Sequence, residues 1–232
     1  MSSLVALFQR AGQPFAICER PVLSPIENSV LVLVTLSTIC GSDMHTFSGR
    51  RSAPIPCVLG HETVGVVAAP TRQCDAYGQP LREGDRITWN LCVSCGACAY
   101  CLNRDLPQKC EVLLKYGHVQ SKGKHAFSGG FAEYILLQPG TAIYQIPDSV
   151  TDIEAVPLNC ALSTVFGGLK LIGVRPKECA VVHGAGILGI YAACYLRESG
   201  YRVVVVVDNR TERLQIAEQF GATHTFNLSD VS

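Results

Sequence analysis

Short apolar runs separated by glycine- and proline-rich turns fill the first part of the chain: Val30–Leu36, Val64–Val67, Arg86–Trp89 and Phe131–Leu137. Each has the length of a strand, and clusters such as Glu83-Gly84-Asp85 and Gln138-Pro139-Gly140 punctuate them. The pattern predicts an all-β or mostly β region up to about residue 150. It contains no visible repeat or low-complexity segment. From residue 151 the pattern changes. Thr151–Leu171 is small and apolar and predicts a helix, after which Pro176 marks a turn. Strand Cys179–His183, a glycine turn, helix Ile187–Glu198, Gly200 and strand Tyr201–Val207 follow. A second helix, Thr211–Phe220, places Leu214, Ala217 and Phe220 on one face, with Gly221 where a C-terminal cap belongs. Thr223–Asn227 is the last strand candidate. Strand and helix alternating at this spacing predict a parallel sheet.

Composition narrows the class. The chain has 232 residues, 48% hydrophobic and 16% charged, which suits one large domain or two small ones with a substantial core. The formal net charge is zero, so the basic patch that nucleic acid or an anionic membrane calls for is not expected. The apolar run Leu4–Phe8 is too short for a signal peptide or a membrane span, and Val203–Val207 reads as a buried strand. The expectation is a soluble, cytoplasmic protein with a small-molecule partner. Twelve cysteines in a reducing compartment then point to metal binding rather than disulfides.

Cys95, Cys98, Cys101 and Cys110 form C-x2-C-x2-C-x8-C. Two-residue spacing lets neighbouring thiolates turn back toward one ion, and four thiolates close a tetrahedral shell, the mark of a structural zinc site. Gly96 follows the first ligand, where the backbone must turn tightly. A redox C-x-x-C is the competing reading, but such pairs sit at a helix start beside a strand, whereas this loop is polar and holds a third and fourth cysteine. Cys92 lies close by and is expected to be a bystander.

Gly184-Ala185-Gly186-Ile187-Leu188-Gly189 is G-x-G-x-x-G between a predicted strand and a predicted helix. Asp208 ends the next strand, 24 residues after Gly184, with Asn209 and Arg210 following. This is the arrangement of a dinucleotide site: Gly184 for the turn, Gly186 for approach of the pyrophosphate, Gly189 for helix packing, and the helix N-terminus for the phosphate charge. Asp208 can bond both ribose hydroxyls and repel a 2′-phosphate, which favours NAD, although Arg210 partly offsets that preference. A helix-capping role for Asp208 is compatible with this one.

Three further segments carry candidate ligands: Cys40-Gly41-Ser42-Asp43-Met44-His45, Gly60-His61-Glu62-Thr63-Val64-Gly65, and Cys160 within Asn159-Cys160-Ala161-Leu162-Ser163-Thr164. A lone cysteine on an apolar helix, such as Cys160, is ordinarily core. Taken in order with the four-cysteine lobe and Gly129-Gly130-Phe131-Ala132-Glu133-Tyr134, however, the segments resemble the zinc-dependent medium-chain alcohol dehydrogenases along the whole chain. Thr38–Val67 is most similar to members associated with phosphonate catabolism. The resemblance implies an α/β protein: a GroES-like β-barrel catalytic domain over 1–160 and a Rossmann domain, a doubly wound parallel sheet, over 161–232. It implies two zinc ions, one catalytic on Cys40, His61 and Cys160 and one structural on the four-cysteine lobe, together with NAD. Two thiolates nearly neutralise the catalytic ion, and an open position lets it polarise an alcohol or carbonyl oxygen. Ser42 and His45 are implied as proton relay, Glu62 as an aid to ligand exchange, and Asp43 as the group orienting His61. Thr164 is implied near the nicotinamide and Leu91 in the substrate pocket. His118, His125, His183 and His224 match no ligand position and are expected to be loop or strand residues.

Measured against that family, the chain reads as C-terminally truncated after the third Rossmann strand, on the order of 80–100 residues short of a full sheet. Its nicotinamide half and the family's homo-oligomer interface would lie in that part. Strand Cys179–His183 would then be an exposed apolar edge. The expected function is hydride transfer between an alcohol, aldehyde or ketone and NAD(H). The alternative is a non-catalytic zinc-binding product of the same family, distinguished by two zinc ions without NAD affinity or turnover. A zinc-free reductase of the superfamily is disfavoured, because those lack the cysteine lobe.

Overall fold

The computed structural model describes residues 1–71, 74–173 and 179–230, and separates the chain into two compact units, Met1–Asn159 and Cys160–Ser232. The expected turn at Pro176 lies outside the described residues.

The first unit is mostly β. Strand β1 (Ser2–Phe8) pairs antiparallel with β2 (Ala16–Pro21). Strand β3 (Val30–Thr38) runs into a short helix α1 (Gly41–Phe47), and β4 (Cys57–Val58) then pairs with β1. Strands β5 (Glu62–Pro70) and β6 (Arg86–Trp89) precede a two-residue strand β7 (Cys92–Val93). One turn of helix, α2 (Ala99–Leu102), lies before β8 (Leu114–Lys115), which pairs with β7. Strands β9 (Tyr134–Leu137) and β10 (Ile143–Gln145) complete a five-stranded sheet of order β10-β6-β5-β3-β9. Every pairing in that sheet is antiparallel.

Alternation along β3 builds two cores. Val30 and Val32 face a cluster with Trp89, Tyr116, Ile87, Ile135, Leu137 and Ile143, while Leu31 faces Val5, Leu7, Val58, Phe127 and Leu136. Each such side chain, removed from water, contributes roughly 1.5–3 kcal/mol. The expected strand Phe131–Leu137 starts late, at Tyr134. Its first residues are diverted into contacts with other strands. Phe131 N–H donates to the Leu59 carbonyl at 2.9 Å, and the Phe131 carbonyl accepts from Ala6 N–H at 2.9 Å.

The expected continuous helix Thr151–Leu171 is broken. It comprises α3 (Asp152–Ala155), a π-helical turn over Leu158–Leu162, and α4 (Ser163–Ile172). Thr151 and Glu154 form a capping box that starts α3. Pro157 then ends it, having no N–H to donate and a ring that clashes with the carbonyl one turn back. Asp152–Ile172 has the length and composition of a membrane span, but this break interrupts it as a single helix.

In the second unit, β11 (Cys179–His183), α5 (Ile187–Glu198), β12 (Val203–Asp208), α6 (Thr211–Gln219) and β13 (His224–Asn227) alternate. The strands form a parallel sheet of order β11-β12-β13, with Cys179 opposite Val203 and Val205 opposite His224. Ala193, Leu196, Val204, Val206, Leu214 and Ala217 form the core. Phe220, expected on the same face as Leu214 and Ala217, is half exposed. The outer strand β11 shows Val181 at 67% exposure.

Candidate active site and dinucleotide turn

Helix α1 opens on Cys40, whose side chain and backbone share a capping box with Asp43. Asp43 Oδ2 accepts from Cys40 N–H at 3.0 Å, and Oδ1 accepts from Gly60 N–H at 3.5 Å. The same Oδ1 lies 3.3 Å from His61 Nδ1, at an angle too oblique for a well-formed hydrogen bond, so the contact is chiefly electrostatic. Asp43 and His61 are both buried. Burial opposes a charge on the His61 ring, but Asp43 and then Cys40 outweigh it and raise its pKa to about 9. Ser42 Oγ lies 3.3 Å from His61 Nε2, so a hydroxyl and an imidazole nitrogen share one small space. His45 is exposed in the last turn of α1.

Glu62, the first residue of β5, accepts from Thr38 Oγ1 at 2.8 Å, and burial raises its carboxyl above the ordinary value. Asn159 is buried, and its side-chain amide donates to the His61 carbonyl at 3.0 Å. Cys160 is the next residue in the chain, within the π-helical turn. A donor set of thiol sulfur and buried imidazole, with a carboxylate holding the imidazole, suits zinc. Sequence reasoning missed Thr38, the anchoring role of Asn159, and His118. The His118 ring lies 4.9 Å from that of His61, tilted by 40°. Burial, Lys115 and His61 hold His118 down at about 3. No motif marks these three residues, because each reaches the site only through the fold.

The four-cysteine lobe is drawn together in the connection between β7 and β8. The ligand atoms of Cys95, Cys98, Cys101 and Cys110 all lie within 4.8 Å of one another, and Cys92 is outside the group. A tetrahedral shell with Zn–S bonds of ~2.3 Å needs sulfurs ~3.8 Å apart, so the group fits zinc with little adjustment. Backbone N–H groups of Ala97 and Cys98 donate to the Cys95 sulfur at 3.4 and 3.3 Å, and Cys95 N–H donates to the Cys110 sulfur at 3.3 Å. Such donors favour thiolates. Glu111 N–H, followed by Cys101, lowers Cys98 to about 6, while desolvation and Cys98 raise Cys101 to about 11. Cys92 pairs with Lys115 across the two strands, and burial raises its thiol pKa.

In the second unit, Gly186 is the N-cap of α5, so the turn Gly184–Gly186 feeds directly into the helix that begins at Ile187. A Cβ on Gly189 would collide with the Gly184 carbonyl oxygen, so only glycine allows the helix to pack this closely on the turn. Asp208 is buried at the end of β12. Its Oδ2 accepts from Ala185 N–H at 2.7 Å and its Oδ1 from Arg210 N–H at 2.9 Å, which lowers its pKa. The carboxylate therefore ties the glycine turn to the end of the next strand. It does not cap α6, whose N-cap is Arg210 without a side-chain bond. Ile187 and Leu188 are exposed on the first turn of α5, Asn209 and Arg210 are exposed after β12, and Thr164 is exposed in the first turn of α4. Leu91 packs against the cluster around Trp89, while His183 and His224 are exposed strand residues.

Known proteins are similar to this chain in sequence and in fold. The family described as Alcohol dehydrogenase GroES-like domain matches residues 26–148. The 5-exo-hydroxycamphor dehydrogenase of Pseudomonas putida is 32% identical over 218 residues, covering 92% of this chain and 59% of that protein. An alcohol dehydrogenase from Thermotoga maritima superposes with a TM-score of 0.93 at 28% identity, over 100% of this chain and 65% of that one. The acetophenone reductase of Geotrichum candidum, solved in complex with NAD, gives 0.81 at 26% identity, over 100% and 66%. The chain thus spans about 60% of the length of the curated relative it matches. With the Cys40–His61 nest, the cysteine lobe and the glycine turn in this order along it, the chain belongs to the zinc-dependent medium-chain alcohol dehydrogenase family.

Proposed function

We propose that the chain carries the metal chemistry and the adenosine side of the coenzyme site of a zinc-dependent oxidoreductase, one that transfers a hydride between an alcohol, aldehyde or ketone and NAD(H). The observation that carries this reading is the nest of half-buried Cys40 with buried Asp43 and His61, on the same chain as the four-cysteine lobe and the glycine turn. In this proposal Cys40, His61 and Cys160 hold a catalytic zinc, and Cys95, Cys98, Cys101 and Cys110 hold a structural one. When bound, the catalytic ion supplies Lewis acidity toward a substrate oxygen. Ser42 accepts the proton from the substrate hydroxyl and passes it to His45, which is exposed to solvent. Glu62 assists ligand exchange, and Asp43 holds His61 in place.

For the coenzyme, Gly184, Gly186, Ile187, Leu188 and Gly189 form the phosphate turn at the start of α5. Each Asp208 oxygen accepts one backbone N–H and keeps a further lone pair for a ribose hydroxyl. Asn209 and Arg210 flank the adenosine ribose, and Thr164 the nicotinamide. We assign residues 1–160 as the catalytic domain and 161–232 as the NAD-binding domain of a soluble cytoplasmic protein, with homo-oligomer assembly expected of the full-length family. Metal analysis, NAD titration and absorbance of reduced cofactor with a panel of alcohols test the reading. Two zinc ions per chain, one lost on Cys40→Ser and the other on Cys98→Ala, together with NAD binding that weakens on Asp208→Ala, are expected. A single zinc that survives Cys98→Ala and Cys101→Ala would contradict the structural site, and zinc without NAD binding would leave only a metal-binding module.

A further inference from the structure

Among the titratable groups that the proposed chemistry leaves unused, His118 stands nearest to it. Its ring lies against that of His61, with centroids 4.9 Å apart and planes tilted by 40°, inside the range in which aromatic rings attract. The loop that carries it is fixed from both sides. Tyr116 is fully buried, its N–H donates to the Leu91 carbonyl at 3.0 Å, and its hydroxyl accepts from Gln138 N–H at 2.7 Å. Gly117 has φ +74°, and a Cβ there would press on the Gly60 carbonyl and the His61 Cβ. The loop backbone therefore lies directly on the residue that bears the imidazole. His118 Nε2 is buried and meets no hydrogen-bond partner among the described residues, so the ring acts on its neighbour through its face.

Asp43 reaches only one edge of the His61 ring, and does so obliquely. Ser42 Oγ, 3.3 Å from Nε2, is likewise an edge contact, so the two leave the ring free to rock about the line that joins its nitrogens, and a contact on its face removes that freedom. We propose that His118 is a positioning residue for His61: its imidazole braces the face of the His61 ring and fixes the plane in which that ring offers Nε2. The inference concerns geometry at His61 and rests on the proposed function only in taking His61 as a metal ligand.

The test compares His118→Phe, which keeps a ring, with His118→Ala, which does not. The whole chain is loaded with cobalt(II), and the visible spectrum and chelator competition are recorded for the Cys40–His61 site. Bands from the four-cysteine lobe serve as an internal control for folding. His118→Phe should keep the wild-type spectrum and affinity. His118→Ala should shift the bands and weaken metal binding about tenfold. An unchanged His118→Ala overturns the proposal, and so does a His118→Phe as damaged as His118→Ala, since that would place the effect on an imidazole nitrogen. In the metal-free chain, the ring resonances of 15N-labelled His61 give the same comparison. They should move on His118→Ala and hold on His118→Phe. If the wild-type chain takes up no cobalt at Cys40 and His61, the zinc reading fails, while the resonance comparison still decides whether His118 braces His61.

Discussion

Asp43 serves three neighbours at once: it caps the start of α1, accepts from Gly60 N–H, and faces His61 Nδ1. Its loss should therefore show in metal affinity more than in stability. Asp43→Asn keeps the shape and removes the charge. We expect it to weaken metal binding at the Cys40–His61 site by about 10–100-fold while the four-cysteine lobe stays loaded. Zinc titration of wild type and variant measures this, and equal affinity would rule out an orienting role. Asp208 is a second residue with divided duties. Asp208→Ala removes two backbone hydrogen bonds as well as the charge, so it should destabilise the chain by about 1–3 kcal/mol in urea unfolding. It should also narrow the gap between NAD and NADP affinity. Retained stability would mean that the Ala185 and Arg210 contacts contribute little.

Among the elements, α3 is held at its N-terminus by polar side chains, and their contributions are separable. The Thr151 side chain accepts from Glu154 N–H at 3.3 Å, and Glu154 accepts from Thr151 N–H at 2.8 Å. Thr151→Ala should lower stability by about 1 kcal/mol, read as a fall in Tm. Next to it, Asp152 binds the Thr35 hydroxyl at 2.6 Å and the Arg86 guanidinium at 2.6 and 3.1 Å. The Thr35 hydroxyl first, and then Arg86, hold its carboxyl below the ordinary 3.8. A depressed folded value means that this stabilisation is fully present above the unfolded value and is lost as pH falls through the folded one. Both side chains are partly exposed, so the contribution is about 1 kcal/mol. Asp152→Asn should cost that much at about pH 7 and progressively less as pH falls below the ordinary carboxylate value of 3.8 toward the depressed folded one. A cost that does not change with pH would remove the ion pair as its source.

Arg86–Trp89, Cys179–His183 and Ile187–Glu198 have the observed bounds, because apolar runs bordered by glycine or charge leave no other buried solution. Helix α1 was not legible as an element, since Gly-Ser-Asp-Met-His-Thr-Phe carries no apolar stripe and its start depends on Asp43. The break in Thr151–Leu171 is hidden in the sequence because apolar residues continue on both sides of Pro157. At the candidate site, spacing assembled the four cysteines, but nothing in the sequence joins His118 to His61. That contact depends on where the Tyr116 anchor places the loop.

For the molecule as a whole, solubility is the property most exposed to test. Strand β11 is an outer strand, and Val181 on it is 67% exposed. Unpaired apolar edges promote association, and a charge placed on one opposes it. Val181→Lys should raise the concentration at which the chain stays monodisperse in light scattering, with an unchanged far-ultraviolet circular dichroism spectrum. No gain would show that this edge does not limit solubility. Each unit has its own core, and in the first unit the cores meet along β3, where neighbouring side chains belong to different clusters. Strand β3 is therefore a party wall. A designer could repack around Leu31 without disturbing the volume that Val30 and Val32 fill, and a double-mutant cycle between adjacent positions would read the coupling that their shared backbone carries.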